Sequence, residues 1–149
     1  MYMYCYNAGW SDILGLSPSS PEDKQGFDAS AERINRIIQQ EIDSGVAANK
    51  IVVAGFSQGG ALALHVSLRS QHSLGGCIAL STWVPFAAEY PAALSPAAAH
   101  LKILQVHGDE DQVVGYEWGS RSHQLLKRII TEPSPSFLTI EVGILKCSL

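Results

Sequence analysis

The chain has 149 residues, of which 46% are apolar and 16% charged, and its formal net charge is −4. This length suits one domain over residues 1–149 with a core of its own, and the composition is that of a folded protein. No basic run predicts binding to nucleic acid or to an anionic membrane surface. No apolar stretch approaches the roughly 20 residues that span a bilayer, so we expect no transmembrane segment.

The start of the chain and its cysteines predict a cytosolic protein. Residues 1–7 lack the positive charge and the apolar run of a secretory signal, so we expect no signal peptide. Cys5, Cys77 and Cys147 are an odd number, far apart, with no C-x-x-C pair. Cys77 falls in a predicted strand, where a buried thiol is the simplest interpretation. This use of cysteine is typical of a reducing compartment.

The first predicted element is a helix over about residues 21–44. We expect residues 1–20, with their tyrosines and serine–proline pairs, to form a loop or lid in front of it. Gly45 ends the helix, as a glycine after the last periodic residue usually does. The apolar positions recur at three- and four-residue steps and predict one buried stripe, formed by Phe27, Ala31, Ile34, Ile37, Ile38 and Ile42.

The rest of the chain alternates short apolar strands with helices. Residues 83–100 are rich in Ala and Pro and predict a surface loop with one short helix. This alternation predicts an α/β fold with crossover connections, a mostly parallel sheet of about four strands and helices on both faces. The predicted strands are residues 51–56, 75–81, 103–106 and 137–142, and the predicted helices between them are 58–71 and 115–131. The second of these helices has a predicted inner face formed by Trp118, Ser122, Leu125, Leu126 and Ile129.

A serine between two glycines marks the junction of the first strand with its helix. The segment Gly55-Phe56-Ser57-Gln58-Gly59 has the G-x-S-x-G pattern of a nucleophile elbow, in the strand–turn–helix context that gives the pattern meaning. Glycines let the strand and helix approach each other, so that the hydroxyl stands clear. We interpret Ser57 as a candidate nucleophile, the alternative being a glycine-rich turn that holds a polar residue. The backbone N–H of Gln58 is a candidate oxyanion donor.

Two aspartates are candidates for the acid of a catalytic triad. A serine hydroxyl needs a base to take its proton, and a carboxylate normally orients that base. In α/β-hydrolases the three groups follow the chain order Ser, Asp or Glu, His. Asp109 and Asp111 both follow the strand at 103–106, at the edge of a parallel sheet where sites form. Spacing alone divides the role evenly between them.

No histidine is well placed as the base. Only His123 follows Asp111, and its position off the apolar stripe of its helix predicts a solvated surface residue. His107 ends a strand, and we interpret it as structural. The second oxyanion donor normally comes from a loop after an early strand, and no such strand and glycine-rich loop precede Ser57. The other three histidines precede both aspartates: His65, His72 and His100.

Several segments together resemble one known family. They are Trp10-Ser11-Asp12-Ile13-Leu14-Gly15-Leu16-Ser17-Pro18, Pro21-Glu22-Asp23, Ala31-Glu32-Arg33-Ile34, the elbow up to Leu62, Ala79-Leu80-Ser81-Thr82-Trp83-Val84-Pro85 and Ile103-Leu104-Gln105-Val106-His107-Gly108-Asp109. In this order, from about Trp10 to about Val142, they resemble the acyl-protein thioesterases, also called lysophospholipases of the carboxylesterase type. The resemblance implies an α/β-hydrolase that removes palmitoyl groups from cysteines of membrane-associated proteins and cleaves esters of lysophospholipids, with transient contact at a membrane surface. No cofactor or metal is expected.

The resemblance also implies roles for four residues. Ser57 matches the family nucleophile and Gln58 the residue that gives one oxyanion N–H. Asp111, the second aspartate of H-G-D-x-D, matches the triad acid, which decides against Asp109. Trp83 lies in the segment that borders the acyl pocket of the family.

The chain departs from the family pattern at both ends. Members begin with further strands and an H-G-L-G-D loop, and they continue to a histidine in an M-H-S stretch. Here neither is present, and residues 144–149 end the chain instead. We therefore expect a form truncated at both ends, without the early strands, the C-terminal helix and the triad histidine, that turns over esters poorly or not at all. The alternative is an incompetent isoform that binds acylated partners or a complete subunit.

Overall fold

Four parallel strands and three helices make up the part of the chain that the computed structural model describes, residues 9–12, 15 and 20–141. Most of the loop predicted for residues 1–20 lies outside these residues, as do Cys5 and Cys147. In chain order the elements are α1 (Lys24–Asp43), β1 (Val52–Phe56), α2 (Gln58–Arg69), β2 (Gly76–Leu80), β3 (Ile103–Gly108), α3 (Tyr116–Ile129) and β4 (Ser136–Ile140).

The strands lie side by side in chain order, β1-β2-β3-β4, and every pair is parallel. The register places Phe56 beside Leu80, Leu80 beside Val106 and Val106 beside Leu138. The carboxyl ends of all four strands therefore meet at one edge of the sheet. This arrangement confirms the predicted α/β class with a parallel sheet of four strands. In place of one short helix, the loop at 83–100 holds two 3-10 turns, Ala87–Glu89 and Pro96–Ala98.

Helix α1 begins and ends close to the predicted positions. The Asp23 carboxylate caps it by accepting a hydrogen bond from the Gly26 N–H (2.9 Å), which satisfies one of the free donors of the first turn. Gly45, just beyond the helix, has a φ of 103°, a left-handed conformation that glycine adopts without steric cost. The predicted stripe is buried against α2 at Phe27, Ala31 and Ile38. Its prediction is wrong for Ile37, which is 53% exposed.

Helix α2 is the centre of the core. It packs against β1 and β2 on one side and against α1 on the other. Its residues 60–68 are all buried, and Leu64 and Leu68 have no exposed surface. A helix that is apolar on every side needs such burial to be stable in water.

The described helices cover only one face of the sheet, so the predicted cover on both faces is wrong for this part of the chain. The Cys77 thiol of β2 faces Ser67 of α2, and the Gln105 side chain of β3 contacts His123 of α3. Ala79 and Gln105 are neighbours on that same face. The alternation of strands and helices predicts crossovers, but it does not say which face each helix covers.

The opposite face, which we call the open face, is apolar and exposed. Val52, Phe56 and Leu138 are 53%, 54% and 53% exposed. Strands of a parallel sheet carry apolar residues on both sides because both faces are normally covered.

No helix within residues 20–141 is long and apolar enough to cross a bilayer.

The burial of α2 gives a stability prediction. We expect Leu64→Ala to lower the free energy of unfolding by about 2–5 kcal/mol, because it leaves a cavity at the centre of the core. Ile37→Ala is the control, since Ile37 on α1 is 53% exposed and such surface changes stay within about 0.5 kcal/mol. Urea unfolding followed by circular dichroism measures both variants. Equal losses would contradict the assignment of α2 as the core helix.

Candidate active site

Ser57 occupies a strained turn between β1 and α2. Its φ of 53° and ψ of −124° are unusual for any residue other than glycine. The turn is held from both sides of the residue. The Ser57 N–H donates to the Leu80 carbonyl (2.9 Å), and the Ser57 carbonyl accepts from the Thr82 hydroxyl (2.7 Å) and the Gly60 N–H (2.9 Å). The end of β2 thus fixes the backbone of the elbow.

The glycines of the elbow leave room for the strand and the helix to approach each other, as the sequence predicts. A Cβ on Gly55 would lie 2.1 Å from the carbonyl oxygen of Gly59. One on Gly60 would lie 2.9 Å from the Gly55 carbonyl oxygen and from the Thr82 side chain. Strand and helix therefore approach each other as closely as their backbones allow.

Ser57 is half-buried as a residue, and among the described residues its hydroxyl has no hydrogen-bond partner. Helix α2 begins at the next residue, Gln58. The first N–H groups of a helix have no acceptor within it, and the helix dipole favours negative charge near them. The turn at Ser57 therefore lies at the electropositive end of a buried helix. That the Gln58 N–H binds an oxyanion stays a prediction.

The side chain of Gln58 has a structural role that the sequence does not predict. Its Oε1 accepts a hydrogen bond from the Trp10 N–H (2.9 Å). Its Nε2 donates to the carbonyl and the hydroxyl of Ser11 (2.8 and 2.9 Å). Gln58 thereby fixes residues 10–11 beside the elbow. The sequence offers only one signal for this role, an amide side chain at the first position of a helix. That signal does not identify the hydrogen-bond partner, which lies 47 residues away.

Asp111 is a buried carboxylate with one oxygen held and one unpaired. Its Oδ1 accepts hydrogen bonds from the backbone N–H groups of Val113 and Val114 (2.9 and 2.8 Å). Its Oδ2 has no hydrogen-bond partner among the described residues. The nearest basic atom is Nε2 of His107 at 3.6 Å, but that atom donates to the Val114 carbonyl (2.7 Å). Asp109, the competing candidate, is exposed.

Ser57 and Asp111 lie at the same edge of the sheet. Ser57 follows β1 and Asp111 follows β3, and the two parallel strands flank β2. Backbone hydrogen bonds continue this alignment past the strand ends, from Ser57 N–H to Leu80 and from Ser81 N–H to the Val106 carbonyl (2.8 Å). The structure thus places at this edge the two residues that the sequence singles out, with one strand between theirs.

A cavity of about 460 Å³ adjoins the elbow, and we call it the aromatic cavity. Trp83 lines it, is only 6% exposed and stacks on Trp118 with ring centroids 4.5 Å apart. Gln58 and Ser11 line its wall near the elbow. Its volume lies in the range of small-molecule sites. Trp83 thus lies where a pocket-lining residue is expected, while Trp118 came from the sequence only as a core residue of α3.

All five histidines of the chain are described, and none forms a hydrogen bond with Ser57. His107 is 1% exposed and packs as a structural residue, as predicted. His123 is half-buried rather than solvated, so that prediction is wrong. Its Nδ1 lies 3.2 Å from the Gln105 Oε1, and its ring stacks on Phe137 at 5.0 Å. Burial lowers the pKa of His123, and Lys127 adds to this.

His123 packs against the sheet because the neighbouring residues of α3 are small. A Cβ on Gly119 would lie 2.3 Å from the His107 ring, and Ser122 is buried with its hydroxyl accepting from the Val84 N–H (3.0 Å). The helix therefore approaches β3 closely, and its contact surface extends beyond the apolar stripe. Periodicity of large apolar residues does not detect such a contact.

His65 is a buried base on α2 away from the elbow. It is 2% exposed, its Nε2 lies 3.3 Å from the Asp28 carboxylate, and its ring packs on Phe27 and Phe86. Burial, with the positive charge of Arg69, lowers the pKa of His65 to about 4. Within the described ranges, no three His, Cys, Asp or Glu side chains come together as metal ligands.

The sequence matches known hydrolases along most of its length. The sequence model of the phospholipase/carboxylesterase family matches residues 1–140. Acyl-protein thioesterase 1 of Mycosarcoma maydis is 39% identical over 127 residues, which cover 79% of this chain and 53% of that protein. Acyl-protein thioesterase 1 homolog 2 of Dictyostelium discoideum is 35% identical over 115 residues, 77% and 51% of the two chains. The chain thus spans about half the length of these relatives.

Solved structures show the same fold. The crystal structure of Arabidopsis thaliana SOBER1 aligns with a TM-score of 0.84 and 30% identity, covering 91% of this chain and 65% of that one. Zea mays acyl-protein thioesterase 2 aligns with a TM-score of 0.78 and 30% identity, covering 94% and 66%. These similarities confirm the partial α/β-hydrolase fold that the sequence predicts.

The close approach at the elbow gives the next prediction. Gly55→Ala is expected to cost at least about 2–3 kcal/mol of stability, since neither its Cβ nor the Gly59 backbone has room to move. Gly115→Ala is the matched control, because nothing lies within 4 Å of a Cβ there, and its cost should stay below about 1 kcal/mol. Thermal unfolding compares the two. A tolerated Gly55→Ala would contradict the close approach of strand and helix.

Burial of His65 gives a pH dependence. The unfolded chain takes up a proton near pH 6.5 but the folded one only near 4, so stability is full above about pH 6.5 and falls as the pH drops toward 4. The loss reaches up to about 3 kcal/mol, since each pKa unit is worth about 1.4 kcal/mol. Urea titrations at several pH values measure it, and His65→Gln should remove this component. The exposed His100→Gln is the control, and an unchanged slope in His65→Gln would refute the assignment.

Proposed function

The chain belongs to the phospholipase/carboxylesterase family, a family of hydrolases, and from this we propose that it is the elbow-bearing part of a serine hydrolase that cleaves acyl thioesters and esters. One observation carries the proposal. A serine in a strained turn, at the start of a buried helix, shares a sheet edge with a buried carboxylate whose Oδ2 has no hydrogen-bond partner in the part of the chain that the structure describes. Such a pair has no evident structural use, because both the backbone strain and the unpaired oxygen cost stability.

In the proposed mechanism Ser57 attacks the acyl carbonyl carbon. A base removes the hydroxyl proton as the bond forms, and the same base later returns it to the leaving thiol or alcohol. The negative charge that develops on the carbonyl oxygen is stabilised by the N–H of Gln58 and by the N-terminal end of α2. Water then releases the acyl group from Ser57 and restores the hydroxyl.

In this mechanism Asp111 has the role of the triad acid, which orients the base. With Oδ1 held by two backbone N–H groups, the carboxylate has a fixed direction, and Oδ2 is left to accept one further N–H. An imidazole is the expected donor, since it must give one N–H to the carboxylate and take the serine proton on its other nitrogen. None of the five histidines does this in the described structure, so the 149 residues alone should hydrolyse esters slowly.

The substrates we propose are S-palmitoylated proteins and lysophospholipids. The names of the relatives support the first and the family description supports the second. Support within the chain comes from the aromatic cavity, whose apolar wall at Trp83 and Trp118 suits a hydrocarbon chain. We also propose that the protein acts in the cytosol and meets membranes only at their surface. The buried free thiol of Cys77 is compatible with that compartment.

A second candidate function is binding without turnover. Neither the aromatic cavity nor the open face needs a catalytic base to bind a ligand, and either could hold an acylated partner or a complete subunit. The two candidates differ in one chemical property, the reactivity of the Ser57 hydroxyl.

Labelling with a fluorescent fluorophosphonate measures that reactivity. We expect slow labelling of the 149-residue chain, faster labelling when free imidazole is added, and none in Ser57→Ala. A positioned base is worth about 10²–10⁴-fold in rate, which sets the upper limit of the imidazole effect. Asp111→Asn should lose most of the imidazole effect while keeping Ser57.

Asp109→Asn is the control for that variant, because Asp109 is a neighbouring but exposed carboxylate. It should label like the unmodified chain with and without imidazole. If the chain fails to label even at high imidazole yet binds a long-chain fatty acid, the binding function is correct and hydrolysis by Ser57 is not.

A further inference from the structure

Phe86 has a backbone conformation that a bulky residue rarely adopts. Its φ of 51° and ψ of 42° lie in the left-handed region, directly before the turn Ala87–Glu89. Such a conformation persists only where the surroundings impose it, and it is found most often at functional sites and where ligands are held. Phe86 also lines the aromatic cavity. Strain and cavity thus coincide at one residue.

The surroundings that impose this conformation come from the chain before α1. One carboxylate oxygen of Glu22 accepts the N–H of Phe86 (2.8 Å), and the other lies 3.4 Å from the indole nitrogen of Trp83. Glu22 therefore fixes two walls of the cavity at once. The turn after Phe86 is held in addition, because Glu89 forms ion pairs with Lys24 (3.1 Å) and Arg69 (2.7 Å).

The ring of Phe86 lies away from the elbow. Its centroid is 5.3 Å from that of Phe27, edge to face, and 5.5 Å from that of His65. His65 and Gln58 are on the same helix, and their separation in sequence corresponds to about 10 Å along the helix axis. The cavity thus extends from Gln58, beside the nucleophile, to Phe86, about two turns of α2 further on.

We propose that Phe86 is the end wall of the aromatic cavity and sets the length of the acyl chain that the cavity accepts. The inference rests on the proposed function and adds a specificity-determining residue to it. A chain whose carbonyl is at Ser57 would run past Trp83 and Trp118 and end against the Phe86 ring. Because Glu22 and Glu89 fix the backbone on either side, the wall does not yield to a longer chain.

The test is binding of saturated fatty acids from octanoate to stearate, below their micelle concentrations, followed by the fluorescence of the stacked tryptophans. Phe86→Ala should shift the preference to longer chains. Each buried methylene is worth about 0.8 kcal/mol, so room for two more should raise the laurate-to-palmitate Kd ratio by about tenfold. Phe86→Trp should shift the preference the other way.

Two further variants keep the test decisive. Phe86→Leu keeps an apolar side chain and should give an intermediate shift if Phe86→Ala fails to fold, as judged by circular dichroism. Leu138→Ala is the control on the open face, where Leu138 is 53% exposed. A change of chain-length preference in Leu138→Ala instead of the Phe86 variants would place the acyl chain on the open face and overturn the proposal.

Labelling of Ser57 and the chain-length preference together test this inference separately from the proposed function. Fluorophosphonate labelling of Ser57 with an unchanged chain-length preference in all Phe86 variants would overturn the inference and leave the hydrolase standing. A preference that follows residue 86 in a chain whose Ser57 never reacts would support the inference and overturn hydrolysis. Absence of fatty-acid binding in every variant would overturn the inference as well.

Discussion

The contact between the backbones of β1 and α2 is the constraint on which the rest of the structure depends. Gly55 and Gly59 meet without side chains between them, and the Ser57 turn bonds to the end of β2. A strand and helix this close leave no room for water, so α2 becomes the centre of the core and needs α1 as its outer cover. Strain at Ser57 is the local cost of that contact, and burial of Leu64 and its neighbours offsets it.

The two halves of the candidate site are each held locally, and the sheet joins them. Asp111 takes its orientation from a tight turn in which its own carboxylate accepts two N–H groups a few residues on. Ser57 takes its orientation from the elbow. Because β1, β2 and β3 are parallel neighbours, a shift of register by one residue would move the two residues by about 3.3 Å relative to each other along the strands. The geometry of the site therefore depends on sheet pairing as much as on the residues that carry the chemistry.

Features that depend on neighbours in sequence were predictable, and features that depend on distant partners were not. Strand and helix bounds and the elbow glycines follow from local patterns, and the family resemblance singles out Asp111, which is buried, over Asp109, which is exposed. The side chain of Gln58 reaching residues 10–11, His123 packing on Phe137 and the left-handed backbone of Phe86 each require a partner that periodicity does not identify. The cover of the sheet on one face only was not predicted, because the alternation of strands and helices does not by itself fix the face that each helix covers.

The open face and the Oδ2 of Asp111 are both suited to a partner that the described residues do not supply. Phe56, Leu80, Val106 and Leu138 form a row across the four strands, and no charged residue lies in the exposed positions of that face. A charge-free apolar face is suited to burial, because nothing on it disfavours association. Oδ2 of Asp111 is likewise suited to a donor, because a buried acceptor without one is costly. The described residues thus hold the proposed nucleophile, its proposed acid and the aromatic cavity in a rigid form. What they leave unsatisfied is one apolar surface and one hydrogen bond.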